Sequence, residues 1–211
     1  MNGSAAAKEA WRAGLLFTIL LIPGWGLAWE EPPRTVQALW EGVDPASEPL
    51  DIRVVRRWEE KGLALSYLTF HIGTFKGRPA RIAAFYAYPL KGEKLPGLLH
   101  LHGGGQRAFL QEVRYYASRG YACLSINWGG REMEGAMAGD PNTDWGAVDP
   151  TQKNVPGYSN LLPGEKYLDG FESPRNNNWY LLTFASRRGL TFLERQPMVD
   201  RERLGVYGHS M

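Results

Sequence analysis

The stretch from Pro96 to Asn127 constrains the fold of this 211-residue chain more than any other. Gly97-Leu98-Leu99-His100-Leu101 is a short apolar run bounded by Pro96 and Gly103. Phe109, Leu110, Val113, Tyr116 and Ala117 then recur at the spacing of a single helix face. Arg119 and Gly120 supply the last-turn cation and the glycine that commonly close a helix. Tyr121–Asn127 is apolar again, in the manner of a buried strand, and its lone cysteine, Cys123, reads as core packing. Strand, one-striped helix and strand in so short a stretch make a βαβ unit, so the two strands are expected to be parallel neighbours. That places the chain in the α/β class.

The remaining segments extend this picture on both sides. Ile52–Trp58, Leu63–Ile72 and Ala80–Tyr88 are rich in β-formers, and Gly73-Thr74-Phe75-Lys76-Gly77 suits a hairpin between the last two. Partial alternation in ALSYLTFHI predicts antiparallel strands with one wetter face, and His71 reads as a satisfied strand histidine. Residues 29–50 are rich in Pro and Glu and read as a tether or an edge-covering segment. From 128 to 177 the chain is rich in Gly, Pro, Asn and Asp without sustained period, too long for a passive connection. It reads as a lid or rim, or as a locally disordered excursion. Trp179, Leu182, Ala185, Gly189, Phe192 and Leu193 form a second helical stripe before Pro197. Gly189 inside a helix costs about 1 kcal/mol relative to Ala, tolerable where something packs close. Leu204-Gly205-Val206-Tyr207 is the next strand.

Composition narrows the function classes. At 44% apolar and 22% charged the chain is globular, and 24 Lys+Arg against 22 Asp+Glu give +2 without a basic block. No nucleic-acid partner is indicated. A single cysteine excludes an intrachain disulfide framework and a multi-cysteine metal site. Lys8 and Arg12 precede an uncharged run from Ala13 to Trp29, and Pro23, Gly24 and Gly26-Leu27-Ala28 follow its apolar core. This order predicts a signal peptide over 1–28, cleaved after Ala28, and a secreted or periplasmic protein. The run, broken by Pro23, falls short of the ~20 residues that span a bilayer, so no stable membrane insertion is expected. Eight Trp and ten Tyr hint at a sugar or other flat ligand.

Two motifs carry chemistry. His102-Gly103-Gly104-Gly105 lies directly between a strand and a helix. Its glycines permit φ > 0 and uncover N–H groups that can face negative charge, either a phosphate or the oxyanion of acyl transfer. Gln106-Arg107, rather than Lys-Ser or Lys-Thr, follows the glycines, which weighs against phosphate. His102 at the strand end reads as a brace for the loop. Gly208-His209-Ser210-Met211 supplies the first four positions of G-x-S-x-G after an apolar strand. In that turn a strained bend lifts the serine hydroxyl to the C-terminal edge of a parallel sheet, and the following N–H, here of Met211, becomes an oxyanion donor.

In this order the elements resemble the first half of an α/β-hydrolase. PGLLHLHGGGQ, PRNNNWYLL and VDRERLGVYGHSM resemble the dienelactone hydrolase and acetyl xylan esterase branch, over roughly residues 50–211. The resemblance implies Ser210 as nucleophile, with N–H groups of Gly103 or Gly104 and of Met211 as oxyanion hole. It further implies ester hydrolysis through an acyl-enzyme, with no metal or organic cofactor. The family's triad runs Ser…Asp/Glu…His along the chain, whereas His71, His100, His102 and His209 all precede Ser210 here. The expectation is therefore a truncated frame or partial sequence, a partial hydrolase domain over 51–211 with one open sheet edge and no competent turnover. Trp128, Trp145, Tyr158, Tyr167 and Trp179 suggest an aromatic rim, with Trp128 a substrate-binding residue. An acetylated polysaccharide is the favoured substrate. A small carboxylic ester or lactone, a peptidase-like activity, and a binding module in which Ser210 is an ordinary turn residue stay open.

Overall fold

The computed structural model describes residues 31–75, 78–104, 106–146, 173–176 and 178–210. The leader expected over 1–28, most of the second half of the 128–177 excursion with Tyr158 and Tyr167, and Met211 lie outside the described residues. The chain divides into two units, Met1–Glu31 and Pro32–Met211, and every element below belongs to the second.

Six strands form one sheet: β1 (Arg53–Glu60), β2 (Leu63–Phe75), β3 (Arg78–Pro89), β4 (Leu95–Leu101), β5 (Ala122–Ile126) and β6 (Val199–Gly208), in the order β1-β2-β3-β5-β4-β6. A short helix α1 (Val36–Trp40) precedes them, α2 (Leu110–Ala117) crosses from β4 to β5, and α3 (Asn178–Glu194) leads into β6. β1, β2, β3 and β5 pair antiparallel, while β5, β4 and β6 run parallel. The βαβ unit read from Pro96 to Asn127 is thus present, with Leu99 opposite Leu124. The hairpin is tighter than expected: β2 and β3 pair as far as Phe75 and Arg78.

Each helix covers one face. Leu110, Val113 and Ala117 of α2 pack with Leu65, Tyr67, Phe85 and Cys123. Leu181, Ala185, Phe192 and Leu193 of α3 pack with Phe70, Ile82, Leu99 and Leu124 on the other side. Burying each such aliphatic or aromatic side chain stabilises the fold by roughly 1.5–3 kcal/mol. At Gly189 α3 lies close against the sheet, since a Cβ there would stand 3.1 Å from Leu99 Cδ1. The wetter face expected for β2 is absent: Ser66 and Thr69 are buried along with their apolar neighbours. Both sides are covered, one by α3 and the other by elements that include Met133 of the 128–146 segment.

Segment 36–50 is fastened rather than loosely tethered. Thr35 Oγ1 caps α1 by accepting from the Ala38 N–H at 3.1 Å. Trp40 stacks on Tyr180 with ring centroids 4.7 Å apart. Arg188 of α3 is 1% exposed and directs its guanidinium at backbone carbonyls alone, those of Pro45 (2.6 Å), Glu48 (2.8 Å), Pro49 (2.9 Å) and His71 (2.9 Å). Arg175 does likewise at Leu39 (3.0 Å) and Ala38 (2.9 Å). The first part of the 128–177 excursion is also bolted down. Thr143 Oγ1 donates to the Asn127 carbonyl and accepts from the Ala83 N–H, and Arg81 and Asp144 exchange backbone bonds.

Removing the Arg188 fork would leave four carbonyls short of a donor, each a loss of about 1–3 kcal/mol where it stays dry. Arg188→Met is expected to destabilise the fold by ~3–5 kcal/mol, read as a lowered urea midpoint with an unchanged slope.

Candidate active site

The ladder between β4 and β6 sets the geometry of the site. Leu99 faces Val206 and Leu101 faces Gly208 in parallel register. Both strands therefore end at the same rim, about one strand spacing of 4.8 Å apart. From β4 the chain passes into His102-Gly103-Gly104, and from β6 into His209-Ser210. The two turns touch at Gly103: a Cβ there would meet the His209 carbonyl oxygen at 3.0 Å and Ser210 Cβ at 3.3 Å. Any side chain at 103 would force them apart. Ser210 is exposed and sits at φ +55°, the left-handed region that costs a non-glycine residue roughly 1 kcal/mol or more. Among the described residues its hydroxyl has no hydrogen-bond partner, and neither His209 nor a carboxylate reaches it.

The glycine loop is held from behind. His102 is buried, its Nδ1 lies 2.8 Å from the Gly103 carbonyl, and its Nε2 accepts from the Gly129 N–H at 3.3 Å. This fixes the tautomer, with the proton on Nδ1 donated to Gly103. Trp128 lies parallel to the His102 ring, 4.5 Å away at 6°, and donates its indole N–H to the His102 carbonyl at 2.8 Å. At 3% exposure Trp128 braces the loop and offers no ring face to a substrate, a correction to its expected role. Trp145 is buried as well, so the aromatic rim does not extend to it. The reason is common to both rings: a large apolar surface close to the sheet is worth more buried than exposed.

Two polar residues in β5 and just beyond it were passed over in reading the sequence. Ser125 Oγ accepts from the Phe109 N–H at 3.0 Å and pairs with His100 Nδ1 at 2.8 Å. Asn127 Oδ1 accepts from the Ala108 N–H at 3.1 Å. Together they dock the entry of α2 against the rim. Their signal was available as two polar side chains at i and i+2 inside an otherwise apolar run, hence on one face of the strand. Gln106 was also missed as a member of the site; its Oε1 accepts the Gly103 N–H at 2.9 Å. Met211, the other expected oxyanion donor, lies outside the described residues, and Gly104 stands at the turn beside Gly103. No group of three or more His, Cys, Asp or Glu suited to a metal occurs among the described residues, and none of their helices is long and apolar enough to cross a membrane.

A family model described as Acetyl xylan esterase (AXE1) matches residues 33–211. The chain belongs to the acetyl xylan esterase (AXE1) family. Its fold is similar to that of an acetyl xylan esterase from Paenibacillus sp. R4, at 23% identity and a TM-score of 0.53 over 76% of this chain and 46% of that one. It is also similar to acetyl xylan esterase 1 from Thermoanaerobacterium sp. JW/SL YS485, at 21% identity and 0.53 over 77% and 45%. The chain therefore spans less than half the length of these α/β-hydrolases. No curated protein sequence matches it.

In this member of the acetyl xylan esterase family two buried histidines, His100 and His102, lie behind the rim. Burial pushes the imidazoles of His100 and His102 down to about 4, against 6.5 for a free histidine. A pKa depressed in the fold means that the unfolded chain takes up more protons between pH 6.5 and 4. Stability is therefore lost on acidification through that window and, for these two groups, levels off below it. Each histidine contributes up to ~3 kcal/mol of this slope. Urea midpoints measured from pH 7.5 down to 4 are expected to fall accordingly. His100→Asn or His102→Asn should lower the midpoint at pH 7.5 and reduce its pH dependence by about half.

Proposed function

We propose that the chain carries the nucleophile and oxyanion-binding part of a serine esterase that cleaves acetyl groups from carbohydrate. The observation that carries this reading is Ser210 itself, an exposed serine at positive φ at the end of a parallel strand, in contact with a glycine loop at the neighbouring strand's end. Ser210 Oγ attacks the ester carbonyl carbon, and the oxygen of the tetrahedral intermediate takes N–H donors from the Gly103-Gly104 turn and from Met211. The carbon–oxygen bond to the sugar breaks, the sugar hydroxyl leaves with a proton, and water then releases acetate from the acyl-enzyme. This sequence needs no metal or organic cofactor.

Acetylated polysaccharide is favoured by membership of a family described as acetyl xylan esterases, and by two fold relatives with the same name. A leader over 1–28 would export the enzyme to where such a polymer lies. Among the described residues no imidazole or carboxylate reaches Ser210 to act as general base. That observation also favours a second reading, in which the same fold binds a glycan ester without turning it over.

A fluorophosphonate separates the two. Ser210 is expected to be labelled, but at least ~10³-fold more slowly than in a complete triad, and Ser210→Ala should abolish labelling. Fast stoichiometric labelling would mean that a base acts within the chain. No labelling at any reagent concentration would favour the binding module.

A further inference from the structure

With Ser210 as nucleophile, Gly103 N–H is one of the proposed oxyanion donors, yet it is already engaged by Gln106 Oε1 at 2.9 Å. A Cβ on Gly103 would stand 3.1 Å from that oxygen and 3.3 Å from Ser210 Cβ. The carboxamide and the serine therefore flank one point. A neutral carbonyl oxygen on a backbone N–H, next to a serine, is the arrangement an ester's acyl carbonyl would adopt before attack. We propose that Gln106 gates the oxyanion site: its side-chain oxygen holds the Gly103 N–H in the resting chain and yields that donor to the acyl carbonyl as it swings out. The proposal rests on Ser210 being the nucleophile.

Two features make the exchange feasible. The Gln106 backbone N–H separately donates to the Gly103 carbonyl at 3.3 Å, so the turn persists when the side chain leaves. Gln106 is also only half-buried, and its side chain can rotate toward solvent. In the ground state one neutral carbonyl replaces another, with little net gain. As charge develops the incoming oxygen becomes an anion, whose hydrogen bond is roughly twice as strong as a neutral one. Displacing Gln106 costs the same for substrate and transition state, and only the anionic oxygen of the latter returns more than that cost.

Gln106→Met keeps the length and volume and removes the oxygen; Gln106→Ala serves if the methionine packs badly. Gln106→Glu keeps the shape and places a carboxylate on the N–H. The readouts are the rate of Ser210 phosphonylation, in which the Oγ–P bond forms, fluoride leaves and the serine proton passes to solvent, and amide hydrogen exchange at Gly103. Phosphonylation is expected to accelerate about fivefold in Gln106→Met, the equivalent of one net hydrogen bond, with faster exchange at Gly103. Gln106→Glu should label at least tenfold more slowly, because its charge both holds the donor and repels the oxyanion. Labelling of Gln106→Met and Gln106→Ala at or below the parent rate would make Gln106 a brace and overturn the gate while leaving Ser210 as nucleophile. Unchanged Gly103 exchange in both variants would overturn it too. Failure of the parent chain to label at all would remove the nucleophile, and the gate with it.

Discussion

At residue 103 there is no side chain, and the space a Cβ would fill lies within 3.3 Å of Ser210 and within 3.0 Å of the His209 carbonyl. Everything chemical about this rim depends on that contact. The parallel ladder from Gly97↔Leu204 to Leu101↔Gly208 brings two chain reversals to the same end of the sheet, but a ladder only sets them one strand apart. Closing the remaining distance requires that one turn be bare. The missing side chain at Gly103 is what lets the 209–210 turn come this near.

Such a bare turn has few contacts of its own and must be held by its neighbours. His102 supplies the hold from below, sandwiched between the loop carbonyl it binds and the Trp128 ring it lies against. Ser125 and Asn127 hold the far side by catching the N–H groups of Phe109 and Ala108. These braces sit at or just after the end of β5, the strand next to β4. The stability of the rim is thereby tied to burial of two neutral imidazoles, and acid that protonates them loosens the loop and the core together.

Most of this architecture could be read from the sequence because it rests on local signals. The βαβ unit was legible since its helix stripe and its two apolar runs each have their own period, and Gly189 marked a close helix–sheet approach. The convergence of the two turns followed from the parallel topology. Other features rest on contacts between distant residues that no period encodes. The two-sided burial of β2 depends on α3 and on elements such as Met133. The anchoring of 36–50 depends on Arg188 and Arg175, whose forks bind backbone carbonyls that any sequence would present. Trp128 misled for a related reason: an aromatic residue just after a strand looks alike whether it faces a ligand or a buried histidine.

The two edges of the sheet are defended differently, and the difference bears on Ser210. β1 carries Arg53, Arg56, Arg57, Glu59 and Glu60 and a bulge between Val54 and Arg56, both devices that discourage further pairing. The second half of β6, Leu204–Gly208, has no charge, and Val206 is 49% exposed. Among the described residues, its ladder runs to β4 on one side only, and Tyr207 ties it to α2 by donating to Glu112 Oε2 at 2.8 Å and by lying 4.9 Å from the Tyr116 ring. A serine at φ +55° keeps its strained backbone only where its surroundings over-determine it. Here those surroundings include the β4 ladder, the Tyr207–Glu112 bond, the rings of Tyr116 and His100 beside Tyr207, and the Gly103 contact. The placement of Ser210 therefore depends on the same Gly103 contact that joins the two turns.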